Sequence, residues 1–390
     1  MRDQGSAVLE GVRIAGREGH WRLEVAGARL SLAPSQATGG GLVLPLMADA
    51  HVHLDKTFTV DRMPGRPSTL FEAIEMMSRD AEGWTEADLH ARAGAGLERA
   101  FAHGTGAMRS HVDWTAPKAP LAWGVLNELA QDWRGRVELQ LASLSPLDLL
   151  AEAGEGIARR VARDGGVLGA FVYRNARLPE KLGRVFDLAE RHGLSLDFHV
   201  DEGLEPEAQG IDAIVAETAR RGFGGRVLCG HGCALSVRPE DDVRAVLDRA
   251  GAAGLALTVL PTTNMWLQDN RPGLTPRLRG LAPFKEARAS GVEVLFASDN
   301  VRDAFYPHGD YDMADVLRAT VLGAQLDPAD WLGAVTTDAA RWCGAVHAIE
   351  DGGPADFIWH DASDPDDLVS RPRAARQVWR GGQPLQGATS

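Results

Sequence analysis

Leu42-Val43-Leu44-Pro45-Leu46-Met47-Ala48, an apolar run, leads through Asp49-Ala50 into His51-Val52-His53. Residues two apart on a strand point to the same side, so the two imidazoles can share one cation. Taken alone, such a pair reads equally well as two surface histidines. Its meaning comes from what recurs along the chain. Seven further apolar runs follow: Ala107–Val112, Val137–Ala142, Val167–Val172, Leu194–Val200, Val227–Gly230, Leu255–Leu260 and Val292–Ala297. Their spacing is roughly 30 residues, the length of one strand–loop–helix–loop unit. His199 ends the fifth run, His231 ends the sixth, and Asp299 follows the eighth. Polar residues gathered at the C-terminal ends of regularly spaced strands mark an active site on a (β/α)₈ barrel.

Several runs are rich in Val, Leu and Ala without strict alternation, as parallel strands covered on both faces require. Between them lie helical patterns. Thr85, three residues before Asp88, opens a capping signature for a helix whose inner face carries Leu89, Ala93, Leu97, Ala100 and Phe101. Residues 241–252 and 313–326 read as helices too, and alternation of helix and strand gives the α/β class. The two ends differ in texture. Ala7–Ile14, Trp21–Val25 and Arg29–Leu32 before the barrel, and Ala355–Trp359 and Ala375–Trp379 after it, are short β patterns between Gly-containing turns. They predict a small composite β-sandwich, residues 1–45 with 345–390, flanking a catalytic barrel over 46–344. Ser363–Leu368 reads as an acidic loop.

The chain has 390 residues, 44% apolar and 24% charged, fractions ordinary for a soluble globular protein, and a net charge of −13. That charge, without a long basic run, argues against nucleic acid or an anionic membrane as partner. Met1–Gly11 lacks the apolar stretch of a signal peptide. Cys229, Cys233 and Cys343 are an odd number with no disulfide framework, so the expected home is the cytoplasm. Cys229 and Cys233 flank His231, but no second ligand pair of zinc-site spacing follows, and both are expected to be structural. His20, His90, His103, His192, His347 and His360 are expected on surfaces or satisfied in the fold. His111 closes the second strand and is a candidate support for the metal ligands; His308 lies after strand eight, within reach of a substrate.

With those residues in place, the chain resembles the amidohydrolase superfamily and its cytosine deaminase-like branch. The resemblance runs from about His51 to the last β-strands. Its pieces are His51-Val52-His53-Leu54-Asp55-Lys56-Thr57, Leu70-Phe71-Glu72, His199-Val200-Asp201-Glu202, Gly230-His231, and Ser298-Asp299-Asn300 leading to Phe305-Tyr306-Pro307. The resemblance implies that His51, His53, His199 and Asp299 ligate one divalent cation, Zn²⁺ or Fe²⁺. It implies catalytic roles for Glu202 as proton shuttle, for His231 as the group that orients and polarises water, and for Asp299 as proton acceptor. The chemistry is consistent with this. A divalent cation brings the pKa of water from 15.7 to about 7, and an amine leaves readily only once a positioned acid has protonated it. Without His199 three residues earlier, Glu202 would read as a solvated loop carboxylate or a helix cap.

Two-metal relatives need a bridging lysine or acid after strand four. Here that strand ends in Phe171-Val172-Tyr173-Arg174-Asn175, which points to one metal. The deaminase fold built on His-x-Glu with Pro-Cys-x-x-Cys has no counterpart in the sequence. Cytosine deaminases carry a glutamine after strand three that bonds the pyrimidine edge, and the matching position here is Leu147. Leu70, Leu147 and Phe305 then predict an apolar substrate pocket, with Asn300 able to donate and accept. The leading expectation is a metal-dependent hydrolytic deaminase of a small, pyrimidine-like nitrogen heterocycle. The alternative is an amidohydrolase cleaving an amide or N-alkyl C–N bond on a related, triazine-like ring. A non-catalytic scaffold on the same barrel would be expected to have lost ligands. Relatives assemble, so the resemblance leaves a homo-oligomer open.

Overall fold

The computed structural model describes residues 7–386. Residues 1–6 and 387–390, which the sequence assigns to the terminal β unit, lie outside the described residues. Strands β1 (Ala7–Ile14), β2 (His20–Ala26), β3 (Arg29–Ser35) and β4 (Leu42–Pro45) begin the chain. The barrel strands follow: β5 (Met47–Val52), β6 (Thr105–Asp113), β7 (Glu138–Pro146), β8 (Leu168–Val172), β9 (Leu196–Val200), β10 (Val227–His231), β11 (Ala256–Val259) and β12 (Glu293–Phe296). Strands β13 (Phe357–His360), β14 (Arg376–Arg380) and β15 (Gln383–Pro384) end it.

Strands β5 to β12 form one eight-stranded sheet in chain order, with every neighbouring pair parallel. It closes where Asp299 bridges Val52. The Asp299 N–H donates to the His51 carbonyl at 2.9 Å, and the Ser298 N–H donates to Asp49 Oδ1 at 3.0 Å. The closure therefore brings a residue beyond the last strand against the histidines of the first. This is the (β/α)₈ barrel that the sequence predicts.

The terminal strands form a seven-stranded sheet in the order β15-β14-β13-β4-β1-β2-β3, so both ends of the chain meet. Strand β1 serves two neighbours: Ala7–Val12 pairs antiparallel with β2, and Arg13 and Ile14 pair parallel with β4. The change comes at Gly11, where φ is +69° and a Cβ would meet the Ala37 carbonyl carbon at 2.8 Å; only glycine fits that approach. Val12, Leu23, Val43, Phe357 and Trp379 share the buried cluster between the halves.

Two expectations need correction. The run Leu42–Ala48 is not one barrel strand. Leu42–Pro45 pairs with β13 and β1 in the terminal sheet, and the barrel starts at Met47, so His51 lies within β5. Ser363–Leu368 is not simply a loop: Pro365–Ser370 is a short helix, capped by Asp364 accepting from the Asp367 N–H at 2.9 Å.

The helix Glu86–Ala102 forms as its pattern requires. Thr85 Oγ1 accepts from the Asp88 N–H at 3.2 Å, a cap that stabilises by about 1 kcal/mol, and Leu89, Ala93, Leu97 and Ala100 are buried. A second helix, Leu70–Ala81, sits in the long connection after β5. Its Leu70, Ile74 and Met77 face the barrel mouth. No helix of the described residues is long and apolar enough to cross a membrane.

Candidate active site

His51, His53, His199 and Asp299 each offer one ligand atom, and these atoms all lie within 4.8 Å of one another. The four residues are buried. His51 Nε2 and His199 Nε2 are 3.0 Å apart, and His199 Nε2 and His53 Nε2 are 3.2 Å apart. Asp299 Oδ1 lies 3.5 Å from His51 Nε2 and 3.2 Å from His53 Nε2. Burial holds all three imidazoles well below the ordinary histidine range, which is the neutral, ligating form. Buried neutral nitrogens that converge on one another, beside a carboxylate whose oxygens make no hydrogen bond, want a cation between them. The donor set fits one divalent cation of the Zn²⁺ or Fe²⁺ kind.

Local backbone serves this convergence. Gly230 lies on β10 beside His51, and a Cβ there would meet His51 Cε1 at 2.8 Å and Nδ1 at 3.0 Å. Asp201, His231 and Asp299 have φ of +50°, +74° and +61°, a left-handed conformation costing non-glycine residues roughly 1 kcal/mol or more each. Such strain gathered at three barrel-strand ends is typical of functional sites.

Glu202 and His231 stand beside the cluster. Both are buried, and Glu202 Oε1 lies 3.7 Å from His231 Nδ1. Burial, with the Asp299 charge adding to it, pushes the Glu202 carboxyl up to about 8. Burial also takes His231 down to about 4. Asn264 Nδ2 meets His231 Nδ1 at 3.0 Å, which leaves the proton of the neutral ring on Nε2, an atom without a protein partner. Gln268 Nε2 donates to the Glu202 carbonyl at 2.6 Å. Glu202 is neither solvated nor a cap. Its neighbour Asp201 does the capping, accepting from the N–H groups of Gly210 and Ile211 at 3.0 and 2.9 Å.

These groups open onto a cleft of about 700 Å³, counting its open mouth, lined in part by His53, His199, Glu202, His231 and Asp299. Leu70, Asn300 and Phe305 line it, as the sequence suggests, but Leu147 does not. Leu147 opens the helix Leu147–Ala153 and is fully buried in the main core; Leu144 and Pro146, on β7, occupy that wall. Asn300 is held by Asp303, whose carboxylate accepts from Asn300 Nδ2 at 2.6 Å and from the Phe305 N–H at 2.8 Å. Lys56 and Asp113 also line the cleft, and sequence reasoning assigned neither a role. Lys56 lies in the stretch His51–Thr57, and Asp113 lies two residues after His111, just past the second apolar run.

His111 lies behind the donor set. Its ring centroid is 3.9 Å from that of His51, and its Nε2 is 3.3 Å from Asp197 Oδ1. Arg109 reaches the other oxygen of Asp197 at 2.7 Å. Burial works against the Asp197 charge, but His111 and Arg109 overcome it and hold the carboxyl below its ordinary range. His308 packs edge-on against Trp266 and is not among the residues that line the cleft. Cys229 and Cys233 are buried, and burial raises both thiols.

The model of the amidohydrolase family matches residues 150–386. A pterin deaminase of Rhizobium rhizogenes (strain K84 / ATCC BAA-868) is 36% identical over 350 residues, 88% of this chain and 80% of that protein. The N-isopropylammelide isopropyl amidohydrolase of Pseudomonas sp. (strain ADP) is 24% identical over 336 residues, 82% of this chain and 79% of its own length. Among solved structures, 5-methylcytosine deaminase from Klebsiella pneumoniae superposes with a TM-score of 0.86 at 24% identity, covering 98% of this chain and 97% of that one. That likeness is one of fold.

Proposed function

Since this chain belongs to the amidohydrolase family, we propose that it is a hydrolytic deaminase of a small nitrogen heterocycle, with an aminooxopteridine as the first substrate to test. The observation that supports this most is the convergence of His51, His53, His199 and Asp299 beside a buried Glu202 at one cleft. The pterin deaminase relative, at 36% identity, directs the choice of ring.

In this reading the four side chains would hold one divalent cation, zinc or iron, which would supply Lewis acidity toward water near neutral pH. Hydrolysis forms a C–O bond, breaks the exocyclic C–N bond, and requires protons at the ring nitrogen and at the departing amine. Glu202 carries them. A carboxyl raised to about 8 holds a proton at neutral pH and can release it to a basic nitrogen. His231 offers Nε2–H to oxygen at the reacting carbon, its tautomer set by Asn264. Asp299 accepts the proton that water gives up. Leu70, Phe305 and the apolar wall around them exclude water from the ring faces, and Asn300 binds a ring edge.

The N-isopropylammelide relative keeps a second reading open, cleavage of an N-alkyl C–N bond by the same groups. The test is a panel of aminopteridines, aminopyrimidines, aminopurines and N-alkyl triazines given to zinc- and iron-loaded protein. Ammonia from an aminopteridine or aminopyrimidine is expected. An alkylamine as the main product favours the second reading, and no turnover of any member overturns both.

A further inference from the structure

Two charged side chains line the cleft beside the donor cluster without belonging to it. Lys56 follows β5, and its side chain is 5% exposed. Its Nζ lies 2.9 Å from Asp113 Oδ1 and 3.4 Å from His53 Nδ1, one imidazole ring away from the Nε2 that meets Asp299. An ammonium carries three donors; Asp113 takes one, and the cleft is open to another. The Asp113 carboxylate is the counter-charge that the buried Lys56 ammonium meets. Asp113 ends β6, its N–H donating to Asp55 Oδ2 at 3.0 Å. Its side chain is 40% exposed, so it has an acceptor oxygen to spare. The Phe305 ring lies 5.1 Å from Nζ, and Leu70, Leu144, Pro146 and Phe171 make much of the remaining wall apolar.

We propose that Lys56 and Asp113 read a lactam edge of the substrate: Nζ donates to a ring carbonyl while the Asp113 carboxylate accepts from the adjacent ring N–H. A donor and an acceptor side by side match –NH–C(=O)– as a single amide side chain would. This pair thus supplies the two-faced edge that the sequence lacks at Leu147. The ligand class is a ring with an amide edge, such as an aminooxopyrimidine or aminooxopteridine, in preference to a fully aromatic amine. A polar edge entering an apolar wall without partners is rejected, and a site built to bond such an edge rejects rings that lack it. The inference rests on the heterocycle reading above. A purely structural ion pair tying β5 to β6 would instead affect all ligands alike.

Calorimetric binding to zinc-loaded wild type, Lys56→Met and Asp113→Asn separates the two, with lumazine as the lactam probe and quinoxaline as a bicyclic probe without one. Wild type is expected to prefer lumazine, and each variant to lose at least about tenfold of that preference with quinoxaline binding little changed. Equal loss for both probes, or an unchanged preference in both variants, overturns the assignment. Should Lys56→Met fail to fold, Asp113→Asn decides it. Ammonia release from pterin is followed on the same samples. A Lys56-dependent preference without ammonia sinks deamination and leaves the lactam assignment standing. Ammonia with a preference indifferent to both variants sinks the assignment alone. A wild type that binds no lumazine overturns the lactam assignment.

Discussion

Glu202 Oε1 and His231 Nδ1 lie 3.7 Å apart at the ends of neighbouring barrel strands, and burial shifts their pKa values in opposite directions, to about 8 and about 4. Burial thus favours the acid form of Glu202 beside a neutral His231 imidazole, a division of labour found where both donation and polarisation are needed. Replacing Glu202 by Gln is expected to lower kcat about 10²–10⁴-fold while metal content stays at the wild-type level. Steady-state kinetics with elemental analysis checks it. A fall of less than threefold would remove Glu202 from proton transfer.

The same carboxyl sets a pH dependence. In the proposed reading its proton is needed, so activity is expected to decline as pH rises through the Glu202 pKa, about 8 from burial and the Asp299 charge; a cation at the donor set would move the limb lower. The residual activity of Glu202→Gln should lack that alkaline limb. An identical profile in wild type and variant would assign the limb to another group.

Gly230 is a packing requirement of the donor set rather than of the fold. The Cβ of Gly230→Ala would press on the His51 ring at 2.8 Å, tilting that ligand. Metal affinity, measured by competition with a chelator, is expected to weaken on the order of 10–100-fold, as when the support of a ligand is disturbed. Unchanged affinity would mean that His51 yields without leaving the site.

Asp197 is fully buried between Arg109 and His111. Arg109→Met leaves a carboxylate inside the barrel without its guanidinium partner, so a loss of about 3–5 kcal/mol is expected in denaturant melts. A change below 1 kcal/mol would indicate that Asp197 takes up a proton at little cost.

Leu147 should behave as a core residue. Leu147→Ala is expected to lower stability by about 2–5 kcal/mol and leave the relative kcat/KM of competing heterocycles unchanged. A reordered substrate preference would return Leu147 to the pocket wall.

Much of this was legible in the chain because barrel strands write themselves as apolar runs and ligands sit where runs end. The donor set spans β5, β9 and the segment after β12, and all its members appeared at such ends. Three things resisted reading. The Leu42–Ala48 run serves two sheets, and no periodicity marks a chain that leaves one sheet at Pro45 and enters another at Met47. Leu147 follows Pro146, and whether a side chain after a strand faces the cleft or the core depends on the helix it begins. Lys56 and Asp113 have no role assigned in the sequence, because only the pairing of β5 with β6 sets them 2.9 Å apart. Long-range pairing of that kind leaves no local pattern.

The proposed chemistry requires one cation held by His51, His53, His199 and Asp299. Metal-stripped protein titrated with Zn²⁺ or Fe²⁺, following ammonia release from an aminooxopteridine against bound metal, tests it most directly. Activity is expected to rise from baseline and level off at one equivalent per chain, with Asp299→Ala neither binding the equivalent nor gaining activity. Ammonia release that persists in stripped protein, or that needs two equivalents, would contradict it.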